Sequence, residues 1–176
     1  GIKVGVIAGA PPGFDACSFR ADIDGSVPVI AVSADLPGDR QRFSLAHELG
    51  HLALAVAAEL DPEKVAHRFA STFLVPAAVA RFELGARRQS LDLYELHLLK
   101  HQHGLSMQAW IYRARDLGIL APQAAERLFK TFGANGWRKE EPGDPYPPER
   151  PTRMERLVLR ALAEDLISDL RAAELL

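Results

Sequence analysis

Two histidines four residues apart enclose a glutamate in His47-Glu48-Leu49-Gly50-His51, inside the apolar, helix-forming run Phe43-Ser44-Leu45-Ala46…Leu52-Ala53-Leu54-Ala55. On a helix, residues at this spacing lie one above the other, so both imidazoles reach a single cation. The glutamate between them leaves the helix beside that face. There it can take a proton from a metal-activated water rather than bind the metal itself. The pattern predicts zinc hydrolase chemistry. Histidines that were merely packed or solvated would leave Glu48 as a lone carboxylate in an apolar stretch with no evident partner.

A catalytic zinc site takes three protein ligands and a water. An extended motif with a Gly and a third His in the following turns is excluded, because Leu54 and Ala57 stand there. The other source is a following helix. Asp61-Pro62-Glu63 reads as its start, with Asp61 as N-cap and Pro62 at the first helical position. Glu63 then sits in the first turn, and His67 lies four residues on along the same face. If residues 43–58 and 62–80 form a simple antiparallel pair reversing near Glu59-Leu60, His67 falls opposite His51. Glu63 reaches the metal only if the first helix ends early, around Ala55 to Ala57. Both ligands remain open on this reading, while Glu59 and Asp61 read as solvated turn residues.

His47-Glu48-Leu49-Gly50-His51, then Glu63-Lys64-Val65-Ala66-His67-Arg68-Phe69-Ala70, then Phe73-Leu74-Val75-Pro76, resembles the ImmA/IrrE family of zinc metallopeptidases. The match is strong from about Val29 to Pro76. The resemblance implies Zn2+ held by His47, His51 and Glu63, with Glu48 as base. His67 departs from the family's usual Asn, which leaves it as a holder of a ligand, a substrate contact or a substitute for Glu63. The fold expected, its strands and helices read from the residues set out below, is α+β, with a small, mostly antiparallel N-terminal sheet packed on a helical zincin-like metallopeptidase core and followed by C-terminal helices. The implied substrate is a helix-turn-helix transcriptional repressor, cleaved to relieve repression in phage, mobile-element or stress responses.

Composition sets outer limits. The chain has 176 residues, 48% hydrophobic and 25% charged, as in an ordinary globular protein. No apolar run approaches the ~20 residues of a membrane span. The start, Gly1-Ile2-Lys3-Val4, has neither Met nor signal-peptide architecture, as expected if the numbering begins inside a longer chain. The single cysteine, Cys17, excludes an intramolecular disulfide, fits a reducing cytoplasm and reads as a packed small residue. A net charge of -2 exerts no general pull on nucleic acid. Residues 1–80 hold 6 basic and 9 acidic residues and 81–176 hold 15 and 14, too small an asymmetry for a basic face.

The elements that must position the site follow. Residues 2–7, 16–21 and 27–32 read as strands, with a turn at Asp24-Gly25, and Pro37-Gly38-Asp39 separates them from the metal helix. A sheet edge near the metal could hold substrate as an added strand. Beyond Pro76, Leu91, Leu93, Leu96, Leu98 and Leu99 share one helix, capped by Ser90 and stopped by His103-Gly104. Ser106 caps a second helix carrying Met107, Trp110, Ile111, Ala114 and Leu117, which Leu117-Gly118 closes, and a third runs from Pro122 to Phe132. Residues 98–120 look like a helix-turn-helix, with Gln108, Tyr112, Arg113 and Arg115 facing outward. Two arginines on a face are normal for a solvated helix, so a buttress to the metal core is favoured over direct DNA binding. His97, His101 and His103 read as solvated loop histidines. Residues 133–151, rich in Gly and Pro, form an extended connector. Thr152-Arg153-Met154-Glu155 reads as a capping box opening a helix that buries Leu157, Val158, Ala161 and Leu162, and Ser168 begins a last short helix. The units expected are a core over 1–89, a helical extension over 90–132, the connector over 133–151 and terminal helices over 152–176.

The expected reaction is peptide hydrolysis, with Glu48 moving a proton from water to the leaving amine. His67, Tyr94 and Tyr112 are candidate donors to the developing oxyanion. The competing readings are a metal-dependent toxin whose antitoxin docks beyond Thr152, a DNA-binding regulator with a structural or degenerate metal helix, and a zinc hydrolase acting on something other than protein.

Overall fold

Strands form where β-branched residues alternate: β1 (Lys3–Ile7), β2 (Ala16–Asp22) and β3 (Ser26–Ser33). The structure, a computed structural model, describes residues 1–22, 25–150 and 152–176. The expected turn at Asp24-Gly25 involves Asp24, and the expected connector ends on Pro151. Both residues lie outside the described ones. The sheet is mixed, with order β1-β3-β2, which corrects the expectation of a mostly antiparallel one. β2 pairs antiparallel with β3, Ser18 standing opposite Ile30, whereas β1 pairs parallel with β3, Val4 opposite Ile30. The reason is the loop over residues 8–15. It leaves β1 beside Ser33 and enters β2 beside Val32, crossing the end of β3 so that β3 lies between its two neighbours. Alternation specifies which face a residue takes, not which strand lies beside which.

α1 (Gly38–Ala53) starts directly after Pro37 and packs on β2 and β3. Its N-terminus is pressed against the connector: a Cβ on Gly38 would run into the Pro147 carbonyl and the Tyr146 ring. α2 (Pro62–Leu74) opens as expected, Asp61 accepting from the Glu63 and Lys64 amides, with Pro62 in the first turn. Val75-Pro76 separates it from α3 (Ala77–Leu84). α4 (Leu93–His103) is capped by Asp92 rather than Ser90. Asp92 and Glu95 form a reciprocal capping box, and Arg88 grips Glu95 through two 2.7 Å contacts. Gly104, left-handed at φ 62°, stops α4, and Ser106 caps α5 (Met107–Asp116), both as expected. α6 spans Pro122–Ala134.

Helices α3 to α6 enclose the main core, including Leu96, Leu105, Met107, Trp110, Ile111, Leu120 and Phe132. The connector after α6 does more than span a gap. Glu141 accepts from the Met107 and Gln108 amides at the start of α5 and pairs with buried Lys100 at 3.2 Å. The Glu149 amide then donates to Gln41 on α1. The last two helices, α7 (Arg153–Ala163) and α8 (Asp169–Leu175), pack on each other. Ser168 caps α8, but Thr152 makes no capping bond, and Val158 is the one buried residue of α7. Of the other residues expected to be buried, Ala161 and Leu162 are half-buried and Leu157 is 50% exposed, α8 being the main neighbour of α7. Among the described residues, no helix is long and apolar enough to cross a membrane.

Candidate metal centre

The helical repeat places His47 and His51 on one face of α1, with their Nε2 atoms 3.0 Å apart. α1 ends at Ala53 and Leu54 turns to extended backbone, earlier than the limit set for Glu63 to reach the histidines. Close packing does the rest. A Cβ on Gly50 would meet the Phe69 ring at 3.0 Å and the Ala66 Cα at 3.3 Å, so glycine is what lets α2 approach this far. Glu63, in the first turn of α2, then lies with its carboxylate 3.2 Å from His47 Nε2 and 3.3 Å from His51 Nε2. Among the described residues, these three form the one cluster able to hold a metal ion.

The separations test the fit. A tetrahedral zinc site with arms of about 2.0 Å has edges of about 3.3 Å. The two imidazole nitrogens, 3.0 Å apart, each face a different oxygen of the Glu63 carboxylate, at 3.2 and 3.3 Å, separations close to such an edge. The burial is graded: the His47 side chain is 13% exposed and Glu63 67%, so the cluster opens on the Glu63 side. His47 Nδ1 is buried with no partner among the described residues. In a neutral imidazole ligating through Nε2, that is the nitrogen that keeps the proton.

His67 stands apart from this cluster, and opposite His47 rather than His51. Its ring meets the His47 ring edge-on at 4.6 Å and lies 5.5 Å from Phe43. Partial burial, then the neighbouring His47, lower its pKa from the ordinary 6.5, against the pull of Glu63. Glu48 points elsewhere, toward the sheet. Its Oε2 accepts a 2.6 Å hydrogen bond from Ser18 Oγ on β2. Sequence reading missed Ser18, since a single serine in an alternating strand has no spacing to mark it. β2 answers which sheet edge lies near the metal helix: it packs on α1 and has β3 on one side only.

A cleft of about 370 Å³ runs past these groups, lined by Ala16, Arg40, Phe43, His47, Glu48 and His67 among others. A larger one, about 700 Å³, shares Arg40, Phe43 and His67 with it and extends under the connector to Tyr112 and Lys100. Neither Tyr94 nor Tyr112 lines the smaller cleft. Tyr94 stacks on His97, and Tyr112 packs at 4.4 Å on Phe129.

Two expectations outside the site change. Arg113 does not face outward; it is 5% exposed and donates to the Val75 carbonyl at 2.9 Å, tying α5 to the end of α2. That α5 face is therefore part of the buttress, and Met107 and Trp110 are fully buried. His97, His101 and His103 lie on α4 rather than in a loop, and they are half-buried. His103 pairs with Glu83 at 3.0 Å, and His101 with the Asp144 carbonyl at 3.1 Å, beneath the connector. Helix α4 runs on to Gly104, which takes in all three positions.

Paired imidazoles and a carboxylate able to hold a metal ion, beside a cleft, are the donor set that metal-dependent hydrolases use. The family model described as the IrrE N-terminal-like domain, Peptidase_M78, matches residues 10–115. The chain belongs to that family and is a metallopeptidase of the ImmA/IrrE type. No curated protein matches it.

Proposed function

We propose that the chain is a zinc-dependent peptidase with a zincin-like core, in which His47, His51 and Glu63 hold the ion and Glu48 is the general base. The observation that carries this reading is the convergence of His47 Nε2, His51 Nε2 and the Glu63 carboxylate within 3.0 to 3.3 Å, while Glu48 stays outside the cluster. Zinc bound there would supply Lewis acidity, lowering the pKa of water toward neutrality and polarising the scissile carbonyl. The substrate lies extended along the free edge of β2, its main chain pairing with the strand. Glu48 accepts the proton of the attacking water and delivers it to the leaving amine. His67, at the cleft wall, contacts substrate or steadies His47. The protein substrate is a helix-turn-helix repressor whose cleavage relieves repression in a stress or mobile-element response in the cytoplasm. That last step rests on the resemblance around the metal motif.

The test pairs elemental analysis with cleavage assays. Wild type, Glu48→Gln and His67→Ala should each hold about one zinc, and Glu63→Ala should lose it. Glu48→Gln should cut at a rate lower by about 10²- to 10⁴-fold. Zinc retained in Glu63→Ala would remove that residue from the ligand set. Undiminished cleavage by Glu48→Gln would end the mechanism.

A further inference from the structure

The bond from Ser18 to Glu48 joins the sheet edge to the proposed base across 30 residues of sequence, and at 2.6 Å it lies in the range of hydroxyl–carboxylate bonds. Among the described residues it is the one hydrogen bond made to the Glu48 side chain, and no ion pair holds that carboxylate. Without it, Glu48 would be a carboxylate on three rotatable side-chain torsions at the wall of an open cleft. Ser18, in contrast, sits on a rigid element. It stands opposite Ile30, which is 3% exposed, in a seven-residue register that runs from Ala16 to Asp22. Its neighbour two residues back, Ala16, lines the same cleft as Glu48, as the two-residue period of a strand requires.

We infer that Ser18 is a positioning residue for the peptidase reaction. Its hydroxyl holds one oxygen of Glu48 against β2, so that the other is presented to the attacking water. This inference rests on the proposed role of Glu48. It gives β2 a second task besides carrying the substrate: the strand that aligns the peptide also aligns the base, so the two share one frame of reference. A general base acts over hydrogen-bond distance, and small losses of alignment cost large factors in rate.

The experiment compares wild type with Ser18→Ala, Ser18→Thr and Ser18→Val in the full chain. The probe is the quenched fluorescent peptide that wild type cleaves fastest in a mixed-sequence library. Zinc content, kcat and KM are measured separately, and crystal structures of zinc-loaded wild type and Ser18→Ala record the Glu48 side chain. Ser18→Ala should keep its zinc and its KM, lose about tenfold or more in kcat, and show the Glu48 carboxylate turned from its wild-type position. Threonine should restore kcat. Valine, of the same shape without the hydroxyl, should not, and this pair decides the matter if the alanine variant fails to fold. A wild-type kcat in Ser18→Ala or Ser18→Val, or a Glu48 carboxylate that stays in place, would overturn the inference alone. Zinc-loaded wild type that cleaves no peptide would overturn the peptidase reading and this inference together.

Discussion

The layer that carries the candidate metal centre and the bundle behind it are built from different residues. Between α1 and α2 the buried positions are Ala46, Gly50, Ala66 and Ala70. The bundle of α3 to α6 also buries alanines, such as Ala114 and Ala125, but around large side chains: Trp110, Phe132, Leu96, Leu105, Met107 and Ile111. Of the largest fully buried side chains, Val32 comes from the sheet and Val75 from the end of α2, and the others belong to the bundle. Small residues let two helices approach until ligands on both converge, but they bury little apolar area. Large residues bury much and hold no particular polar geometry. The site layer is thus specified by closeness and the bundle by volume. Arg113 on the Val75 carbonyl and Glu141 at the start of α5 tie the bundle to what surrounds it.

The widest break in this comparison should come from the bundle. Trp110→Ala removes a ring with no exposure from its centre and should cost about 3–5 kcal/mol in denaturant unfolding. The value should fall toward the low end, because the indole Nε1 is buried without an acceptor among the described residues. Zinc stoichiometry of the folded fraction should stay as in wild type. A loss of zinc equal to the loss of fold would show that the two regions are one unit.

Gly50→Val should act the other way. Its branched side chain must displace Phe69 or the α2 backbone, at a cost of about 1–3 kcal/mol. Moving α2 moves Glu63, so zinc affinity, measured against a competing chelator, should fall by a larger factor than stability alone accounts for. Unchanged affinity would mean that helix approach does not set the ligand geometry.

The smallest effect is a pH dependence. The folded state lowers the His67 pKa below 6.5, so it binds fewer protons there than the unfolded chain does. His67 therefore contributes stability that is fully present above pH 6.5 and is lost as pH falls from there through the lowered folded value. Metal-free wild type should lose stability in that window relative to His67→Asn, read as the difference between their denaturation midpoints from pH 7 to pH 5. Parallel curves would show that burial and the neighbouring His47 do not lower the His67 pKa in the folded chain.

Much of the site was legible because helices have a fixed repeat. His47, Glu48 and His51 needed no tertiary knowledge to be placed on one turn, and Asp61-Pro62 announced the helix that carries Glu63. Capping went astray where two polar residues competed: Ser90 and Asp92 both precede the same leucines, and the reciprocal bond with Glu95 selected Asp92. Arg113 was misplaced for a related reason. Its charge suggests solvent, but its backbone position faces α2, where the Val75 carbonyl accepts its guanidinium. The α7 burial pattern overreached because an apolar periodic face implies a partner without supplying one.

Periodicity and turn chemistry act over a few residues, so the sequence by itself determined the helix of the paired histidines, the start of the next one and most of the bundle's apolar faces. Separations across 16 to 30 residues belong to packing. That Glu63 and not His67 lies against both Nε2 atoms, that β1 runs parallel to β3, and that Ser18 meets Glu48 were decided by the tertiary structure alone. In each case the outcome depends on how closely two elements approach and which neighbour lies between them, and no local spacing encodes that.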